Sequence, residues 1–91
     1  MEETKFNLNK QKLPKWFDGT VYSEGGEVRN PFSGETYKLN AKELSMYDFI
    51  MGCNHIWGMG LKPTKETVKN FDSALRWFQK NNIKAYMALL D

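Results

Sequence analysis

The first half of the chain alternates short apolar segments with turn residues, whereas the second half shows helical spacing. Segments 20–22, 27–30 and 36–39 are short and contain β-branched, aromatic or alternating apolar residues, which is typical of strands. The intervening sequences SEGGE and NPFSGE favour tight turns, because glycine accepts positive φ and proline fixes φ. We therefore predict a three-stranded antiparallel meander, with Gly34 in the left-handed conformation at its second turn.

The second half begins with a clear helix start. Asn40 is followed three residues later by Glu43, a spacing typical of a capping box. This pair predicts a helix over residues 41–57, with Gly58 at its C-cap.

Two further helices follow in the sequence. Pro63 favours a new helix start, and apolar spacing predicts a second helix over 64–80. We expect a left-handed cap at Asn81–Asn82 and a short helix within 83–91, whose apolar residues fold back on the core. The predicted fold class is α+β: a small three-stranded antiparallel meander followed by two long helices and a short C-terminal helix.

The first long helix is predicted to be apolar around most of its circumference. Its apolar positions are Leu44, Met46, Tyr47, Phe49, Ile50, Met51, Cys53, Ile56 and Trp57. A narrow polar strip is formed by Ser45, Asp48, Gly52 and His55. Such a helix must be covered on more than one side, so we expect the third helix or another subunit to complete its burial.

The second long helix has two contrasting faces. Its apolar face comprises Val68, Phe71, Ala74, Leu75 and Phe78, and its basic stripe comprises Lys65, Lys69, Arg76 and Lys80. The stripe could contact phosphates of a nucleic acid. The favoured interpretation is a solvated face, since Asp72 and Arg76 are spaced for an ion pair.

Length and charge restrict the class of protein. Ninety-one residues are enough for one domain, which we assign to 16–91 after a polar N-terminal arm over 1–15. A formal charge of +2 is too small to indicate nucleic acid or an anionic membrane as partner. The single cysteine favours a reducing compartment, and the polar start is unlike a secretory signal. We therefore expect a cytoplasmic protein that does not enter membranes.

The stretch MGCNHIWGMG contains the only cysteine and the only histidine, yet it is a poor candidate for chemistry. Cys53 and His55 point to nearly opposite sides of a helix, and zinc needs three or four protein ligands. Asp48 and His55 share the polar strip but lie two turns apart, about 10 Å. We expect no metal, no cofactor and no catalytic residues; a small ligand-binding or enzymatic site at the Asp48/His55 strip is the third hypothesis.

Exposed aromatic residues are the better functional candidates. The leading hypothesis is a small non-enzymatic protein-interaction module that self-associates or binds a larger protein through Phe32, Trp77, Trp16 or Phe17. Folding back onto the protein is the favoured placement for Phe32. Trp77 lies between the two faces of its helix, where it either covers the core edge or anchors a partner. Nucleic-acid binding by the basic stripe is the alternative function.

Several short segments resemble small uncharacterised proteins encoded by tailed phages of marine bacteria. The resemblance covers residues 20–91 and is carried by segment 30–35 (NPFSGE), by Tyr47–Asp48 before 50–52 (IMG), and by Trp77–Phe78 before Asn81–Asn82. These segments are not motifs of known chemistry. The resemblance implies expression inside an infected bacterial cell, as an accessory factor or a minor virion component.

Overall fold

The computed structural model describes residues 11–90. Residues 1–10 of the predicted polar arm, and Asp91, lie outside the described residues. Within this range the elements are β1 (Gly26–Arg29), β2 (Thr36–Leu39), α1 (Ala41–Gly58), α2 (Lys65–Asn81) and α3 (Ile83–Leu89). The α+β class and the three helices are therefore as predicted.

The two strands form an antiparallel hairpin whose turn is closed by side-chain and backbone hydrogen bonds. Gly26 pairs with Leu39 and Arg29 pairs with Thr36. In the turn, the Asn30 side-chain oxygen accepts from the backbone N–H of Phe32 at 2.8 Å. Gly34 has φ +79° and donates to the Asn30 carbonyl at 2.8 Å, which confirms the predicted left-handed position.

The predicted strand at 20–22 is absent, and the sheet of residues 11–90 has two strands. Residues 20–22 instead run over α1, where the backbone N–H of Tyr22 donates to Ser45 Oγ at 2.9 Å. That hydrogen bond uses a donor that a strand ladder would have needed. The sequence shows the local strand preference of 20–22, but it does not show that the Ser45 hydroxyl accepts the Tyr22 N–H in the folded protein.

The glycine pair at the start of β1, Gly25 and Gly26, has a different role from the one predicted. Positive φ among the described glycines occurs at Gly34 and Gly60, and not at Gly25 or Gly26. A Cβ atom on Gly25 would clash with the Leu39 carbonyl oxygen and lie 2.8 Å from Asn40 Cα. Gly25 is required because the backbone passes directly against the end of β2.

Helix α1 begins as predicted and ends slightly later. Asn40 Oδ1 accepts from the Glu43 N–H at 2.8 Å, and Glu43 Oε1 accepts from the Asn40 N–H at 3.0 Å, completing the capping box. Gly58 is the last helical residue and Met59 is the C-cap, so the predicted C-cap was one residue early. The left-handed glycine is Gly60, with φ +94°.

The junction between α2 and α3 corrects the predicted left-handed cap. Asn82 has φ −159° and ψ 81°, and its side chain accepts from the Ala85 N–H at 3.1 Å. An N-cap residue needs an extended backbone, so its role in starting α3 excludes the left-handed conformation. At the other end of α2, Thr64 caps the helix by accepting from the Thr67 N–H at 3.1 Å.

The core lies where α1, α2 and α3 meet the inner face of β2. Its buried apolar residues include Leu39, Met46, Tyr47, Ile50, Ala74, Phe78, Ala85, Ala88 and Leu89. The remaining side of α1 is covered by the chain before β1, where Trp16 and Phe17 pack on Phe49 with ring centroids 5.4 Å and 5.8 Å away. None of the helices in residues 11–90 is long and apolar enough to cross a membrane.

Candidate interaction surfaces

Phe32 projects into solvent from the hairpin turn. Its side chain is 97% exposed, so the expectation that it folds back is wrong. The backbone around Phe32 is ordered by hydrogen bonds, because the Phe32 N–H donates to the Asn30 side chain and the Gly34 N–H donates to the Asn30 carbonyl. The Asn30 amide also donates to the Ala88 carbonyl at 3.0 Å, which ties the turn to the end of α3.

Helix α3, to which the turn is anchored through Ala88, also has exposed apolar side chains. Ile83 is 50% exposed and Met87 is 62% exposed, and their i, i+4 spacing places them on one face of the helix. Met87 directly precedes Ala88, the residue that holds the turn. We call Phe32, Ile83 and Met87 the hairpin–α3 surface. Sequence reasoning missed Ile83 and Met87, although their spacing in a short helix was the available signal.

The other aromatic candidates are packed into the protein. Trp77 is half-buried, lies edge-on to Phe78 at 5.7 Å, and donates its Nε1–H to the Lys12 carbonyl at 2.8 Å. These contacts place it at the core edge. Trp16 and Phe17 are also half-buried against α1, so of the four candidates only Phe32 projects freely.

Trp16 nevertheless borders a groove of about 420 Å³ between the chain before β1, α1 and the start of α2. The groove is lined by Trp16, Asp18, Gly19, Thr20, Asp48, Phe49, Gly52, Cys53, Ile56, Glu66, Thr67 and Asn70. Its apolar floor comes from the aromatic rings and from α1. Its charged residues are all acidic, and we name it the acidic groove.

Cys53 lies in the floor of the acidic groove as a buried thiol. It is 7% exposed, and burial raises its pKa, with a further increase from the negative charge of Asp18. His55 is exposed and does not line the groove. Cys53 and His55 therefore do not form one site, and the groove adjoins only the Asp48 end of the predicted Asp48/His55 strip.

The basic stripe of α2 is solvent-exposed. Lys65, Lys69, Arg76 and Lys80 are all exposed. Arg76 pairs with Asp72 at 3.1 Å, in the i, i+4 geometry that the favoured interpretation predicted. Both side chains are well exposed, so this pair contributes little stability but partly neutralises the stripe.

A second cleft, of about 600 Å³, is lined mainly by polar residues, among them Glu43. The Glu43 carboxylate is 5% exposed and accepts from Gln11 Nε2 at 2.9 Å and Asn82 Nδ2 at 3.0 Å. Gln11, itself 2% exposed, accepts from Asn40 Nδ2 at 2.8 Å. Within residues 11–90, every buried side-chain nitrogen or oxygen has a partner. These polar groups hydrogen-bond to one another and thereby join the chain before β1 to α1 and α3.

Sequence reasoning found only the local part of this network. Asn40 and Glu43 are neighbours in sequence and were assigned to a cap, whereas Gln11 and Asn82 lie 32 and 39 positions from Glu43. No local pattern links residues at such separations.

Metal binding has no candidate in the described part of the chain, where no three His, Cys, Asp or Glu side chains converge on one point. No protein family, curated protein or solved structure matches this chain.

Proposed function

We propose that this protein is a small non-enzymatic protein-interaction module whose principal contact is the hairpin–α3 surface. The observation that carries the proposal is the full exposure of Phe32 on a turn held by its own hydrogen bonds. Burying a phenylalanine side chain contributes about 1.5–3 kcal/mol. Because the turn is already ordered, little of that energy is lost to fixing the loop on binding.

The apolar side chains on α3 extend this contact. Met87 and Ile83 are exposed on the helix to which the turn is anchored. Apolar groups presented by neighbouring elements are typical of a binding surface. The partner is a second copy of the chain or a larger protein. Because several segments resemble small phage proteins, we propose that this protein is an accessory factor or a minor virion component whose partner is a phage or host protein.

The proposal is tested with Phe32→Ala, using Val21→Ala as the matched control. Val21 is also exposed, at 68%, but lies on the segment that crosses α1. Light scattering at several concentrations measures self-association, and affinity capture from the native cell lysate measures binding to a larger protein. We expect Phe32→Ala to weaken association about tenfold or more, with unchanged unfolding, and Val21→Ala to have no effect. Equal association of all three proteins would contradict the proposal.

The nucleic-acid alternative has weaker support. Arg76 is engaged by Asp72, and Glu66 lies on the same helix as the basic stripe. If the stripe binds phosphates, binding at low salt must weaken steeply as salt rises and must fall with Arg76→Glu. Absence of binding at low salt would remove this alternative.

A further inference from the structure

The acidic groove combines an apolar floor with open access. Trp16 and Phe49 form one wall, with their ring centroids 5.4 Å apart and their planes inclined at 53°. Ile56, 45% exposed, forms another part of the apolar lining. At about 420 Å³, the groove is large enough for one long side chain but small for a whole peptide.

The rim of the groove carries an unbalanced negative charge. Asp18, Asp48 and Glu66 border it, and no lysine or arginine does so among residues 11–90. Among residues 11–90, the ion pair within 4.0 Å is Arg76–Asp72. None of the three groove carboxylates has a lysine or arginine partner there. This local excess of negative charge contrasts with the net charge of +2 of the whole chain.

We propose that the acidic groove docks a lysine or arginine side chain from a basic segment of a partner protein. The aliphatic stem packs on Trp16 and Phe49, and the cationic end lies among the carboxylates of the rim. Long basic side chains bury their stems on apolar surfaces while keeping the charge exposed, and a cation near a tryptophan face gains further attraction. The inference rests on the proposed function only in taking the partner to be a protein.

Other ligand classes fit this groove less well. An anionic ligand would be repelled by the three carboxylates, and a purely apolar ligand would leave them unused. A metal ion would need ligands that converge, which the described residues do not provide. A cationic head on an apolar stem uses both features at once.

The test is a titration followed by backbone amide chemical shifts in NMR. The probes are acetyl-Gly-Arg-Gly-amide, its lysine equivalent and its citrulline equivalent, which keeps the shape of arginine without the charge. We expect saturable shifts at Gly19, Gly52 and Thr67 with the two cationic peptides, diminishing as salt rises. The Asp48→Asn variant should bind about two- to fivefold more weakly, as expected for losing one exposed charge pair. Asp72→Asn, on the opposite side of α2, should bind as the natural chain does.

Three outcomes would overturn the proposal. These are the absence of saturable shifts at the groove, equal binding of the citrulline peptide, and an Asp72→Asn effect as large as that of Asp48→Asn. Shifts at the groove that arise on raising the protein concentration without peptide would instead identify a second copy as occupant. Phe32→Ala leaves the groove intact. If this variant loses its protein partner but still binds the cationic peptides, the hairpin–α3 surface and the groove act independently, so the failure of one proposal is distinguishable from the failure of the other.

Discussion

Glu43 is the residue on which the polar contacts of three chain segments converge. Its carboxylate receives the Asn40 N–H, the Gln11 amide and the Asn82 amide, and so joins the chain before β1 to α1 and α3. A buried carboxylate is tolerated only when its oxygens are fully hydrogen-bonded. Glu43 therefore stabilises the fold through this network, beyond the cap that the sequence predicts.

Replacing Glu43 by alanine should lower the free energy of unfolding by about 2–4 kcal/mol, because three donors lose their charged acceptor. The matched control is Glu66→Ala, which also removes a glutamate from a helix first turn but from an exposed position. The control should change stability by no more than about 0.5 kcal/mol. Urea unfolding of both variants measures the difference, and equal effects would show that the network is energetically unimportant.

Cys53 provides a prediction about pH. Burial and the nearby Asp18 charge raise the thiol pKa above its ordinary value of 9.0. The folded protein holds the Cys53 thiol proton more tightly than the unfolded chain does. The thiol therefore contributes fully to the free energy of unfolding below about pH 9, and this contribution is lost as the pH rises through the folded-state pKa. The pH midpoint of iodoacetamide modification should lie above that of a free thiol and should decrease in Asp18→Asn. An unchanged midpoint would show that the Asp18 charge does not reach the thiol.

At the scale of elements, local signals predicted the helices well. The capping box at Asn40 and the apolar spacing of α2 are contained in a few neighbouring residues, so their bounds agree with the structure to within one or two positions. The predicted strand at 20–22 failed because strand pairing depends on a distant partner. Here Ser45 Oγ accepts the Tyr22 N–H, a donor that pairing with a neighbouring strand would have used.

Two glycines give opposite predictions for the same substitution. Gly25→Ala should destabilise the fold by about 3 kcal/mol, because the new methyl group would meet backbone atoms at the end of β2. Gly52→Ala should stabilise it by about 0.5–1 kcal/mol, because Gly52 lies inside α1 and, apart from its chain neighbours and the nearby helix backbone, nothing lies within 4 Å of the added Cβ. Thermal unfolding of both variants tests this pair. Similar effects of the same sign would contradict the described backbone packing.

At the scale of the whole molecule, sequence predicted the α+β class and named Phe32 but not its placement. The position of the turn in the fold depends on the hydrogen bond between Asn30 and Ala88, residues 58 positions apart, which no local pattern reveals. The acidic groove was equally hidden, because Asp18, Asp48 and Glu66 meet only after the chain folds. The predicted burial demand of α1 is met largely within the chain, through Trp16 and Phe17.

The central claim is that the hairpin–α3 surface contacts another protein, and photo-crosslinking from position 32 tests it most directly. Phe32 is replaced by p-benzoylphenylalanine, which keeps an aromatic side chain there, and the full chain is irradiated in the native cell. The same replacement at the exposed Lys69 on α2 is the control. We predict a discrete adduct from position 32, at the mass of a dimer or of one larger partner, and none of that mass from position 69. No discrete adduct from position 32, or identical adducts from both positions, would contradict the claim.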